Sequence, residues 1–256
     1  MTVDAAIWND ARVEWRSYDA VVFRSTWDYH LHYDAFAAWL DRLDADGVPL
    51  LNDSALVRWN ADKRYIAALA GGPFAVPDTV FVPRGTAASL ASTLRVRGWR
   101  DAVVKPTISA DGHETFRVSA DDAAGAEMRL DTILRTSDAM IQRYVPEIAT
   151  EGESSLIVVD GAFSHAVSRR PAPADFRVQE RFGGTIAPAS PPAGLVERAR
   201  ALVARAAPGC LYARVDVVNG EPPTLMELEL IEPSLYFGTA PGSAERFASA
   251  VLKRLR

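Results

Sequence analysis

One cysteine in 256 residues excludes an internal disulfide and any cysteine-built zinc centre, and Cys210 stands in an apolar run suited to core packing. No apolar run reaches membrane-spanning length, and the N-terminus 'MTVDAAIWND' has neither the basic start nor the apolar middle of a secretion signal. The expected setting is a reducing cytoplasm, away from membranes. Basic residues are too few, and nowhere clustered, to grip a phosphate backbone: 28 Lys and Arg stand against 33 Asp and Glu, a net charge of -5. Nucleic acid is therefore not an expected partner. Also missing are a Gly-rich loop ending in Gly-Lys-Ser/Thr and a Gly-x-Gly-x-x-Gly after a strand, so neither a Walker nor a Rossmann site is supported. His30 and His32 in 'DYHLHYD' have ligand-like spacing for a strand but no third partner, and they read as solvated loop histidines. Asn52-Asp53-Ser54 has the form of a glycosylation acceptor, which carries no meaning in a cytoplasmic protein.

What is present suits a folded enzyme. A chain that is 48% hydrophobic can build one large core or two modest ones without staples. Strand and helix signals alternate without repeats, which predicts an α+β fold. Strands are expected at Asp4–Trp8, Ala20–Phe23 and Val48–Leu51, as a small parallel sheet, with a helix in 'YDAFAAWLDRLDADG' ending at Gly47. Asp53 or Ser54 caps a further helical run, 'ALVRWNADKRYIAAL', which Gly71, Gly72 and Pro73 break. Boundaries fall near residues 60 and 138, giving parts 1–60, 61–138 and 139–256. The middle part has strands at Thr79–Val82 and Ala102–Lys105 and helices at Ala87–Arg97 and Asp121–Leu134. The last has strands 'MIQRYV', 'SSLIVVDG' and 'AFSHAVS', a helix at Ala193–Ala206, a charged hairpin, and a closing helix at Ala244–Arg256.

The hairpin 'LYARVDVVNGEPPTLMELELIEPS' carries the chemistry. Alternation puts Arg214 with Asp216 on one arm and Glu227 with Glu229 on the other, while Val215, Val217, Met226, Leu228 and Leu230 face a core. Three crowded carboxylates would repel and protonate unless a cation neutralises them, and Mg²⁺ takes such oxygen ligands. The alternative is an ordinary solvated sheet face on which Arg214 pairs with Glu227 or Glu229. Lys105 ends the apolar run 'AVVKP' just before 'TISADGHET', where small residues around Gly112 can wrap phosphates with backbone N–H groups, or form an ordinary turn. 'MIQRYVPEIATEGESS' runs a strand into proline and then acids, a shape suited to a flat base and ribose hydroxyls, or to a plain strand and acidic loop.

The ordered set 'NADK', 'VVKP', 'QRYVPE', 'TEGE', 'RRPAPADFRVQERFGG', 'ARVD' and 'MELELIEPS' resembles the ATP-grasp superfamily over nearly the whole chain, in its glutathione-synthetase and ribosomal-protein glutamate ligase branch. 'RSTWDY', 'DFRVQ' and 'ELELIEPSLYF' look closest to the cyclo-ligase type of cycloserine biosynthesis and its relatives. The resemblance implies two α+β subdomains clamping ATP, preceded by a small α/β domain. Relatives begin one strand and one helix earlier, so that first domain is expected to be incomplete, completed by a partner chain, or shortened by the choice of start codon. It implies ATP and Mg²⁺, with Mn²⁺ an alternative, and a small amino-acid-like carboxylate as substrate; a homo-oligomer is compatible with it.

Residue by residue, the resemblance makes Lys63 and Lys105 the phosphate-contacting lysines. Gln142, Arg143, Tyr144 and Val145 become the adenine hinge, Glu153 the ribose carboxylate, and Asp216, Glu227 and Glu229 the metal ligands. Arg214 would stabilise the tetrahedral intermediate and Arg169 would lie near the γ-phosphate. Arg177 would hold a substrate carboxylate, with Arg24 and Asp28 bordering the same acceptor pocket. Two departures stand out: Gly112 is the lone glycine in the loop expected to be glycine-rich, and glutamate replaces a frequent asparagine at position 229. The implied activity is an ATP-dependent carboxylate–amine ligase working through an acyl phosphate, within one molecule or between two. A catalytically idle nucleotide-binding or regulatory protein is the alternative.

Overall fold

The computed structural model describes residues 2–173 and 175–256. After 3-10 turns at Trp15–Ser17 and Tyr29–His32 comes helix α1 (Tyr33–Ala45), which buries Phe36, Trp39, Leu40 and Leu43, a stripe at helical spacing. That stripe meets Trp8, Phe23 and Tyr29 in an aromatic core with edge-to-face contacts, Trp8 on Phe36 at 5.4 Å and Phe23 on Trp39 at 5.7 Å. The expected parallel sheet is reduced to one parallel bridge, Val21 to Leu50. Two hydrogen bonds hold it, Val21 N–H to Pro49 O and Leu51 N–H to Val21 O. Asp4–Trp8 is not a strand: Ile7 is exposed, and the segment is anchored by the Trp8 indole rather than by a ladder.

Asp53 caps α2 (Ser54–Ala61), its side chain accepting from Leu56 N–H at 2.8 Å. The single helix expected through residue 69 is broken, resuming only as α3 (Tyr65–Ala68). At the break Asp62 is extended and Lys63 donates its N–H to Thr107 O at 2.8 Å, so a tertiary acceptor replaces the helical one.

The first sheet contains β1 (Thr79–Val82), β2 (Asp101–Pro106), β3 (Phe116–Ser119) and β4 (Ala139–Arg143) in the antiparallel order β1-β4-β2-β3. Helices α4 (Leu90–Arg97) and α5 (Ala123–Thr136) share a core with it, through Leu90, Leu94, Leu130 and Ile133 against Ala102, Val104 and Ile141. A short α6 (Glu147–Thr150) leads to the second sheet. This has β5 (Glu153–Val159), β6 (Ala162–Arg170), β7 (Thr185–Ala189), β8 (Tyr212–Val218) and β9 (Thr224–Glu229) in the antiparallel order β7-β6-β5-β8-β9. Helix α7 (Ala193–Ala206) packs Leu195, Ala199 and Leu202 against Leu156, Val158, Val215 and Leu228 of this sheet. The closing α8 (Ser243–Arg254) brings Ala250 and Val251 to Ile157, Val159 and Tyr212. No helix among the described residues is long and apolar enough to cross a membrane.

The hairpin departs from strict alternation. Asp216 pairs with Glu227 but Val217 pairs with Leu225, so a one-residue bulge lies at Met226. Leu225 takes the core position, and Met226, expected beside Leu228, packs instead with Tyr144, Val145 and Phe176. Every residue of β5 and β8 is buried, so the charged face of the hairpin is not the solvated sheet face that the alternative reading required.

Candidate active site

One face of the second sheet gathers the ionisable groups. Asp216 stands directly across from Glu227, and Arg214 from Glu229; on the other side Ser155 of β5 faces Asp216, and Glu153 faces Arg169 of β6. The carboxylates of Asp216, Glu227 and Glu229 offer oxygens that all lie within 4.8 Å of one another. Arg214 binds Asp216 through Nε at 3.0 Å and Nη2 at 2.9 Å, and its Nη2 also binds Glu229. Arg169 bridges Asp216 at 2.7 Å and Glu153 at 2.6 Å, and Ser155 Oγ donates to Asp216 Oδ1 at 2.7 Å. Asp216 therefore holds two guanidinium groups while its own side chain is only 1% exposed. Glu227 and Glu229 keep 28% and 25% of their side chains open.

A cavity of about 380 Å³ lies over this face, walled also by residues of the first sheet and its loops. Lys63, displaced from the helical run by the break after α2, reaches Glu227 at 3.0 Å and Ser109 O at 2.6 Å. Lys105 lines the cavity at the end of β2 with no hydrogen-bond or ion-pair partner among the described residues. Arg143 and Tyr144 spend their N–H groups on Asp78 O and Asp101 O, whereas the N–H of Val145 and the C=O of Tyr144 stay unclaimed by any described group. This leaves one donor and one acceptor on adjacent residues at the cavity wall.

Burial shapes the acidities. It raises the carboxyl of Glu229, against the pull of the Arg214 guanidinium and helped by Glu227 and Asp216 nearby, and it raises Glu153 against Arg169. Glu227 is desolvated too, but Lys63 and then Lys105 hold it down at about 2. Lys105 is lowered by burial, only partly offset by Glu227. Glu232 is pushed up to about 7 by burial, with Lys63 pulling the other way and Glu227 adding to the rise.

The loop after β2 also lines the cavity, and it meets the 175–182 segment. Asp111, Gly112 and Glu114 all take positive φ, at 51°, 67° and 50°, so Asp and Glu adopt the backbone conformation that glycines would supply in a glycine-rich loop. A Cβ on Gly112 would lie 3.3 Å from Phe182. Arg181 binds Asp111 at 2.5 Å, and the Arg177 guanidinium stacks on Phe182 at 3.5 Å.

Fourteen of the sixteen anticipated residues line this one cavity: Lys63, Lys105, Gly112, Gln142, Arg143, Tyr144, Val145, Glu153, Arg169, Arg177, Arg214, Asp216, Glu227 and Glu229. Arg24 and Asp28 are not among its walls. Arg24 donates to Pro233 O at 3.0 Å beside the Tyr212 ring, and Asp28 accepts from the Trp8 indole at 2.8 Å; from 'RSTWDY' it is Trp27 and Tyr29 that line the cavity. The bidentate edge of Arg177 is occupied by Asp175, Nε at 3.0 Å and Nη2 at 2.7 Å, rather than open to a substrate carboxylate. His30 is not a solvated loop residue either: it is half-buried against His113, with rings 5.1 Å apart, while His32 is exposed.

Sequence reading missed Ser155, Asn60 and Glu232. Ser155 is invisible in an apolar strand. Asn60 was findable, being a polar residue three positions after Val57 on the buried stripe of α2; its amide clasps β9 through Leu228 O at 2.7 Å and Leu230 N at 2.8 Å.

The donor set, all carboxylate oxygen with two of the three groups open to the cavity, fits a hard divalent cation such as magnesium. Asp216, Glu227 and Glu229 are the residues that would hold it.

Known proteins resemble this chain in sequence and fold. Residues 80–235 match the family described as prokaryotic glutathione synthetase, ATP-grasp domain, and residues 1–52 match the N-terminal domain of D-cycloserine synthetase DcsG. The cycloserine biosynthesis protein DcsG of Streptomyces lavendulae is 32% identical over all of this chain and 90% of its own length. A glutathione synthetase of Parasynechococcus marenigrum (strain WH8102) is 29% identical over 85% of this chain and 68% of its own. Among solved structures, D-cycloserine synthetase DcsG superposes with a TM-score of 0.86 at 30% identity, covering 97% of this chain and 88% of the other. D-alanine–D-alanine ligase from Bacillus anthracis, complexed with ATP, gives a TM-score of 0.63 at 21% identity over 84% of this chain and 73% of the other, a likeness of fold.

Proposed function

We infer the activity from the family to which the chain belongs, the ATP-grasp ligases with the glutathione-synthetase type of nucleotide domain, enzymes that use ATP and divalent metal ions. From that membership we propose that it activates the carboxylate of a small amino-acid-like substrate as an acyl phosphate and lets a nitrogen nucleophile displace phosphate. The observation that supports this most is the meeting of three carboxylates with Lys63, Lys105 and Arg214 in one cavity whose wall also offers an unclaimed donor and acceptor at Tyr144 and Val145. Magnesium, when bound, neutralises the phosphate oxygens and lowers the barrier to phosphoryl transfer.

The protein groups then divide the work. The Tyr144 C=O and Val145 N–H take the adenine edge. The Glu153 oxygen not held by Arg169 faces the ribose. Lys105, a half-buried cation without a partner among the described residues, and Lys63 draw the phosphates in and balance their charge. Arg169 acts mainly by fixing Glu153 and Asp216. Arg214 lies between the metal-binding carboxylates and the Ser234 carbonyl, 3.3 Å from Nη1, where it stabilises the oxyanion formed as the nucleophile attacks. Full-length similarity to a cycloserine biosynthesis protein favours an intramolecular ring closure over joining two substrates.

ADP release measured with Mg²⁺ across small amino acids and their aminooxy and ureido derivatives tests this. Turnover on at least one carboxylate is expected, with oxygen-18 from the carboxylate appearing in phosphate. ATP binding without turnover on any member would favour an idle nucleotide-binding protein.

A further inference from the structure

The cavity wall holds five buried or half-buried carboxylates on the second sheet and the segment after it, and four of them are matched to cations. Glu153 has Arg169, Asp216 has Arg169 and Arg214, Glu227 has Lys63, and Glu229 has Arg214. The fifth, Glu232, has neither an ion pair nor a side-chain hydrogen bond among the described residues, although it lines the same cavity. It lies outside the cluster of carboxylates able to share a metal ion. Its backbone, in contrast, is fastened from several sides. The Trp27 indole donates to Glu232 O at 3.1 Å, Arg24 to Pro233 O at 3.0 Å, Arg214 to Ser234 O at 3.3 Å, and His165 Nε2 lies 2.7 Å from Leu235 O. Ile231, just before it, is sunk in the aromatic core of the N-terminal part. A carboxylate on a backbone held this firmly, with Lys63 and Arg214 acting on it only from beyond contact distance, is costly to keep charged unless a cation arrives from the cavity. The rings of Trp27 and Tyr29, on the same wall, offer such a cation aromatic surface as well.

We propose that Glu232 is the subsite for the ammonium group of the substrate, with Trp27 and Tyr29 as its aromatic neighbours. This deepens the ligase reading and rests on it: the substrate's carboxylate lies toward the phosphates and its free amine toward Glu232. Substrates of this enzyme are then amino acids with an unblocked amine. The docking of the 24–28 loop onto 232–234 explains why that loop is near the acceptor end although Arg24 and Asp28 do not line it: Arg24 and Trp27 hold the carbonyls around Glu232.

Ligand-detected NMR on the Mg·ADP-loaded protein tests this with D- and L-alanine, D- and L-serine and D-cycloserine, each compared with its N-acetyl derivative. Free-amine compounds should bind and the N-acetyl forms should bind at least about tenfold more weakly, the loss of roughly one charge-assisted hydrogen bond. Glu232→Gln should weaken the free-amine compounds by roughly 10- to 100-fold while Mg·ADP affinity stays unchanged, with Glu232→Asp intermediate. Equal binding of an N-acetyl form to the wild type, no binding of any free-amine compound, or unchanged binding in Glu232→Gln would each overturn the subsite. If Glu232→Gln fails to fold, the comparison within the wild type still decides. Failure of the wild type to bind Mg·ADP would instead sink the ligase reading and the subsite with it.

Discussion

Arg214 is buried with Asp216 on one side and Glu229 on the other, and two jobs are open to it, balancing charge and stabilising a transition state. They separate on substitution. Arg214→Ala should leave ATP affinity nearly normal and lower kcat by about 10²–10³, the usual loss for a preorganised oxyanion donor. Full recovery of kcat at saturating Mg²⁺ would make the arginine a charge balancer only. Glu232 gives a second prediction at this scale, through pH. Its folded-state pKa is raised from 4.5 to about 7, chiefly by burial and opposed by Lys63. A raised pKa contributes stability that is whole below the unfolded value and fades as pH climbs through the folded one. Metal-free wild type should therefore lose stability relative to Glu232→Gln between about pH 4.5 and pH 7. Thermal melts of both proteins across that range check it; parallel curves would mean that Glu232 is not desolvated.

At the scale of the element, β9 carries two of the three carboxylates proposed to hold the metal yet lies at the edge of its sheet, with β8 as its one strand neighbour among the described residues and a single parallel bridge from Ala75 to Thr224 on its outer side. What steadies its outer side is α2 and α3: Asn60 takes Leu228 O and Leu230 N, and the Tyr65 hydroxyl accepts from Leu228 N at 3.0 Å. Asn60→Ala strands a buried donor and a buried acceptor of the edge strand. The expected cost is about 2–6 kcal/mol, at roughly 1–3 for each unsatisfied group, and Tm should fall by at least several degrees. Mg²⁺ dependence should weaken with it, since Glu227 and Glu229 flank the loosened residue. Denaturant titration with and without Mg·ADP reads both effects, and a change in stability within about 0.5 kcal/mol, the scatter of a neutral surface substitution, would remove Asn60 from this role.

At the scale of the whole molecule, the cavity has one wall from the first sheet and one from the second, so a nucleotide binding there links two cores. Mg·ADP should stabilise the chain as any native-state ligand does, by about 2.7 kcal/mol at a hundredfold excess over Kd. The metal-dependent share should vanish in Asp216→Asn and in Glu227→Gln, while the smaller shift from metal-free ADP persists because Tyr144 and Val145, proposed to take the adenine edge, are untouched. Retention of the Mg²⁺-dependent shift by both variants in calorimetry would disprove the ligand assignment.

By itself the sequence determined the local periodicities and the elements they dictate. The helices at 33–45, 90–97, 123–136 and 193–206, most of the strands, and the shared faces of Arg214 with Asp216 and of Glu227 with Glu229 are set by spacings of two or of three to four residues. Ordered motifs carried the family as well. Whatever depended on a partner distant in the chain was decided only by tertiary structure. Thr107 takes the N–H of Lys63 and breaks a helix that local propensity favours. The bulge at Met226 re-aims that side chain toward Tyr144 and Val145, since β8 and β9 pair out of simple register. Arg24 and Asp28, adjacent to the cavity walls in sequence, are drawn away by Pro233 and Trp8. Glu232 reads as one more acid in an acidic run; only the fold, by giving Glu153, Asp216, Glu227 and Glu229 a cation in contact and this one none among the described residues, sets it apart.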